Sequence, residues 1–181
     1  VVYKAYVLAG AGIAPFLIAA AAAAWGLGPR GTFLAVLFWF LHSWGDFPVA
    51  YVGFGMIPYF VAVPLALLAT GLVARFLERG GFGTFLFANL ASAATLFCHP
   101  TTAMIVVPAL GAAYLAAAFD RRAEPPARVG LGRHVGFWLI AAITLAVNAF
   151  WWLPGIPFAS TKGVSDFVLR HDEGVLRRLS Q

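Results

Sequence analysis

The stretch IPYFVAVPLALLATGLVARFL, Ile57 to Leu77, decides the class of fold. Its one charge, Arg75, stands close to the end. About 20 consecutive apolar residues cross the hydrocarbon core of a bilayer as a helix. Each ionised side chain placed mid-helix costs about 2.5–3.5 kcal/mol on insertion scales. The run shows no period-two alternation, so it reads as a helix and not as a strand of a membrane barrel.

The same pattern repeats on both sides of it. Apolar segments extend from about Tyr6 to Trp25, from Pro29 or Thr32 to Trp44, from Phe82 to Cys98, from Thr101 to Phe119 and from Val135 to Leu153. No charge lies between Lys4 and Arg30, only Asp46 lies between Arg30 and Arg75, and none occurs over 80–119 or 134–161. The whole chain of 181 residues is 62% hydrophobic and 10% charged. Soluble domains carry about 25% charged residues, so too few are present to cover a surface facing water. The expected fold is all-α: a polytopic bundle of about six transmembrane segments over residues 1–158. Residues 159–181 form an amphipathic extracytoplasmic tail or the start of a soluble domain, and the chain reads as a fragment of a longer polypeptide.

Basic residues give the orientation. Arg30, Arg75, Arg79, Arg121, Arg122, Arg128 and Arg133 flank alternate connections, while the connections Gly45–Met56 and His99–Pro100 hold no Lys or Arg. By the positive-inside rule the arginine-bearing connections face the cytoplasm. A net charge of +5 is explained by this role, and no nucleic-acid-reading signature accompanies it. Were the second segment a re-entrant hairpin, only the first would change sides. Tyr3, Tyr6, Trp44, Tyr51, Tyr59, Trp151 and Trp152 fall at the outer interface and Trp25 and Trp138 at the inner one, the depths that amphipathic rings favour.

Few residues carry chemistry. Asp46, in the outer connection His42-Ser43-Trp44-Gly45-Asp46-Phe47-Pro48, is the one acid in a long apolar region. A carboxylate there suits a base toward a hydroxyl or a cation ligand; a turn aspartate bonded to backbone is the plainer reading. His42 precedes it by one helical turn. His99-Pro100 forms the corner between the fourth and fifth segments, with Thr101 and Thr102 next to it. The amides opening the fifth segment would suit a phosphate, and a histidine bonded to a turn carbonyl is the plainer reading. Asn148 is placed to bond across helices, and Trp151-Trp152 anchors the last segment or stacks on a sugar or prenyl chain. Cys98 is the sole cysteine, so no internal disulfide forms. No metal or cofactor is expected: the histidines lack ligand-like spacing for haem, and zinc, nucleotide-loop and serine-triad motifs are missing. A transporter would line its midplane with polar groups, and few are present.

A Gly-containing outer loop, a Pro-kinked helix, a His-Pro corner and a helix ending Asn148-Ala149-Phe150-Trp151-Trp152-Leu153-Pro154 follow in that order. Over about Tyr3 to Phe158 this resembles the bacterial polytopic membrane proteins of the GT-C glycosyltransferase superfamily, nearest to the branch labelled as related to 6-pyruvoyl-tetrahydropterin synthase. The resemblance implies a protein of the bacterial inner membrane that transfers sugar from a polyprenyl-phosphate donor on the extracytoplasmic face. Asp46 is the position onto which the superfamily's acceptor-activating acid carries over, with His42, His99, Asn148, Trp151 and Trp152 around the substrate. Membrane lipid, a polyprenyl-phosphate sugar and other membrane subunits are the implied partners, and nucleic acid is not one. The alternative is a non-catalytic accessory subunit of a larger membrane complex.

Overall fold

The structure, a computed structural model, describes residues 2–45, 57–119 and 129–156. All regular structure among them is helical. The helices are α1 (Val2–Ala24), α2 (Pro29–Trp44), α3 (Ile57–Arg79), α4 (Phe82–Cys98), α5 (Ala103–Ala118) and α6 (Leu131–Val147). A 3-10 turn, Pro100–Thr102, leads into α5. Two compact units are present, Val1–Asn148 and Ala149–Gln181. The second contains the short helix α7 (Ala149–Trp152) and a 3-10 turn, Leu153–Gly155.

The all-α bundle expected from the apolar runs is therefore the fold found. Boundaries differ in places. The second segment is one unbroken helix of 16 residues and not a re-entrant hairpin, opening with Pro29 in its first turn, where a missing N–H costs nothing. The third runs on to Arg79. The sixth begins at Leu131 and stops at Val147 instead of continuing to Leu153. Asn148 ends it: its side-chain amide donates to the Thr144 carbonyl at 2.9 Å and across to the Ala93 carbonyl of α4 at 3.2 Å.

Cross-helix contacts fix the directions. Trp25, just past α1, donates its indole N–H to the Leu67 carbonyl at 3.2 Å, and Arg75 donates to the Ala23 carbonyl at 3.3 Å. The C-terminal ends of α1 and α3 thus lie together and the two helices are parallel. The short turn after α1 sends α2 back, and Trp39 of α2 packs with Ala14 and Ile18 of α1 and against Phe60 of α3. Gly80 (φ 72°) and Gly81 (φ 98°) reverse the chain between α3 and α4 in a left-handed conformation that side chains resist. Arg133, at the start of α6, donates to the Leu77 and Glu78 carbonyls at 2.6 Å each. Successive helices alternate in direction. The described arginines Arg30, Arg75, Arg79 and Arg133 gather at one end of the bundle, and His99 stands at the other.

Helix α3 is central. Ala62, Ala69, Val73, Phe76 and Leu77 are buried, and their spacing keeps them on two adjoining faces. The upper face meets α1, where Ala14, Ala21 and Ala22 are small residues that let helix axes approach and Ile18 is buried with them. The lower face joins Ala88, Phe137 and Ile140 in the larger core. At Gly136 a Cβ would collide with the ring of Phe76, so the ring of Phe76 rests on α6 where that position has no side chain.

The outside of the bundle is as apolar as its inside. Phe16, Phe38, Met104, Ile105 and Trp138 are each more than 60% exposed. A helix that is hydrophobic all round belongs in a large core or in a membrane. Three helical spans are long and apolar enough to cross one: Val7–Ala24, Pro58–Arg79 and Pro100–Ala118. Helices α4 and α6, of 17 residues each, are apolar but shorter. At about 1.5 Å per residue they reach roughly 25 Å, against a hydrocarbon core of about 30 Å.

Candidate functional site

The histidine end holds the described polar groups nearest to the expected site. Helix α4 stops at Cys98 because His99, preceding Pro100, takes an extended conformation (φ −157°, ψ 113°). The imidazole Nδ1 lies 2.8 Å from the Thr101 hydroxyl. That same hydroxyl bonds the phenol of Tyr59, on the first turn of α3. The Tyr59 and His99 rings lie face to face, with centroids 4.1 Å apart and planes 32° from parallel. Thr102, buried, turns its hydroxyl back to the His99 carbonyl, and its N–H bonds the same carbonyl at 3.1 Å.

This geometry changes the chemistry available. The amides of Thr102 and Ala103 are spent inside the 3-10 turn, on the carbonyls of His99, Pro100 and Thr101. They do not stand open toward an anion. What the corner offers is an imidazole with Nδ1 engaged by Thr101, an arrangement that sets the ring's orientation. Thr101 is a shared partner of the Tyr59 and His99 side chains, and it ties the α4–α5 corner to the start of α3.

The other expected site residues are distributed as follows. Asp46 lies outside the described residues. Its connection leaves α2 at Gly45 and enters α3 at Ile57, both at the histidine end. His42 is exposed on the last turn of α2, where a basic group suits the helix C-terminus. Asn148 is fully buried and bonded to α4, as a cross-helix polar contact; its Oδ1 has no hydrogen-bond partner among the described residues. Trp152, in α7, is exposed, and the side chain of Trp151 lies outside the described set. Tyr59 brings a contact that no local pattern announced, since 40 residues separate it from His99. Among the described residues no group of three or more His, Cys, Asp or Glu side chains is placed to hold a metal.

The arginine end is built differently. Tyr114 of α5 meets His134 of α6 through its hydroxyl, 2.9 Å from Nδ1, and stacks on Phe137 with centroids 4.4 Å apart. Beside it an open groove is lined by Gly80, Gly81, Phe82, Leu131 and Arg133. The guanidinium of Arg133 closes the C-terminus of α3, so its described contacts are those of a cap. No protein-family model, curated protein or solved structure matches this chain at a significant level.

Proposed function

We propose that the chain is an integral membrane helix bundle, held in a bacterial inner membrane with its arginine end in the cytoplasm, and that it is the membrane part of a GT-C-type glycosyltransferase-like protein. The observation that carries the reading is the alternation of helix direction. It gathers the described arginines at one end, and places the Tyr59–His99–Thr101 corner and both anchors of the Asp46 connection at the opposite end. In this reading a polyprenyl-phosphate sugar is approached from the outer leaflet. Asp46 takes the proton of the acceptor hydroxyl, and the corner orients the lipid-linked donor.

Two experiments test it in sequence. In a Cys98→Ala background, single cysteines at Arg79→Cys and Pro100→Cys are labelled in sealed vesicles by a membrane-impermeant maleimide. Labelling from opposite sides supports the insertion, and labelling of both from one side overturns it. The intact protein is then assayed with a polyprenyl-phosphate-linked sugar. Asp46→Asn should lower turnover by at least about 100-fold, the size expected for loss of a general base. Unchanged turnover removes the transferase reading and leaves the membrane bundle.

One observation favours a second reading, a structural subunit without chemistry. The Thr101 hydroxyl, the group best placed to present a donor, is already shared by Tyr59 and His99. Full activity of a complex in which Tyr59→Phe and Asp46→Asn are combined would select that reading.

A further inference from the structure

Where α4 and α6 begin, the arginine end carries an open groove of about 730 Å³. Its floor is the ring of Phe76, lying over Gly136. Phe82 walls it on α4, and Leu131, Val135 and Leu139 wall it on α6. Those three are spaced by four, so they share one face of the helix, and they are 79%, 50% and 46% exposed. At about 1.5 Å per residue the stripe descends roughly 12 Å. Gly81 and Gly130, at its head, are exposed as well. The groove is therefore open both at the end of the bundle and along the side of α6.

Its two parts differ in chemistry. The stripe is hydrocarbon and offers nothing to a free ion. The head is positive. Arg133, part-exposed, is the one charged side chain among the described residues that line the groove, and its bonds to the Leu77 and Glu78 carbonyls hold it there. Helices α4 and α6 both begin at the head, behind Gly81 and Gly130, with no acidic residue in the first turn. Their positive ends add to the same field. Glu78, the one acid among the described residues, lines a separate cleft with Trp25 and Arg75. A positive head above an exposed apolar stripe matches a molecule with an anion at one end and a hydrocarbon chain at the other.

We infer that the groove seats an anionic phospholipid of the leaflet at the arginine end, its phosphate beside Arg133 and an acyl chain along Leu131, Val135 and Leu139. The inference rests on the bilayer reading proposed above. It is independent of the transferase reading and of the side that the arginine end faces.

The test uses the full chain in nanodiscs of equal phosphatidylglycerol and phosphatidylcholine, each in turn carrying a diazirine on its acyl chain. Phosphatidylglycerol adducts should map to 82–85 and 131–139 and exceed phosphatidylcholine adducts there several-fold. Gly130→Asp is the decisive variant. The φ of −73° suits any residue, a Cβ there meets no described atom within 4 Å, and an aspartate at a helix N-cap favours the fold. It should lower phosphatidylglycerol labelling about fivefold, on the scale of one interfacial charge. Phosphatidylcholine labelling should stay unchanged, and the thermal midpoint should not fall. Gly130→Asn, nearly the same shape without the charge, should keep the preference. Val135→Trp combined with Leu139→Trp should fill the stripe and reduce labelling by both lipids. Equal labelling by the two lipids, adducts that map to other helices, or equal losses in the Asp and Asn variants overturn the site. Resistance of the protein to alkaline carbonate extraction from native membranes is measured alongside. Loss of that resistance sinks the bilayer reading, whereas absent labelling with extraction resistance intact sinks only the lipid groove.

Discussion

The two ends of the bundle are held by different kinds of bond. At the arginine end, long side chains reach across helices to backbone carbonyls far away in the chain: Trp25 to Leu67, Arg75 to Ala23, Arg133 to Leu77 and Glu78. The last carbonyls of a helix have no partner within it, and at Ala23, Leu77 and Glu78 neighbouring helices supply the donors. At the histidine end most bonds are local: His99 to Thr101, and Thr102 to His99 and Thr95. Among the described residues, Tyr59 reaches in from α3 and Asn148 at the end of α6 reaches the Ala93 carbonyl of α4. One end is clamped by guanidinium and indole donors. The other is a tight corner of small hydroxyls, with its single imidazole oriented but not enclosed. The lesson is that arginines which the positive-inside rule reads as topology signals also act as helix caps, so one residue can answer to both demands.

The sharpest way to break this contrast lies beside the clamps. Gly136→Leu forces a side chain into the ring of Phe76. It should destabilise the bundle by about 3 kcal/mol or more, at the upper end of overpacking costs, read as a large drop in thermal midpoint in detergent. Arg133→Ala removes two charge-assisted bonds to carbonyls and should cost about 2 kcal/mol. Arg133→Lys should recover part of that, because a point charge replaces a planar fork. Trp25→Phe deletes one indole N–H bond while keeping most of the packing, for about 1 kcal/mol. Thr101→Val, at the opposite end, should cost under about 1 kcal/mol because its bonds are exposed. Should Thr101→Val prove more damaging than Arg133→Ala in the same melting series, the contrast between a clamped end and a local corner is wrong.

How legible each end was follows from the same difference. The helices at both ends could be drawn from continuous apolar runs, because a bilayer-length stretch without charge has few alternatives. The His99-Pro100 corner was visible because proline acts on its immediate neighbour. Tyr59 was visible only as an interfacial aromatic; its bond to Thr101 joins residues 42 positions apart. The sixth segment was drawn through to Leu153 because hydropathy does not fall at Asn148. What ends the helix there is a side chain that turns back to Thr144 and across to α4, and no local composition signals that.

The sequence by itself determined that this polypeptide is a set of apolar helices, roughly where they start and stop, and which connections carry the arginines. Those properties depend on near neighbours and on solvent, and both are readable along a line. Tertiary structure alone decided that α3 is the hub and that Arg133 caps it from α6. It also decided that the Phe76 ring of α3 settles where Gly136 leaves room on α6. These depend on which faces of separate helices meet, and helices that are apolar on every side do not declare that in their sequence.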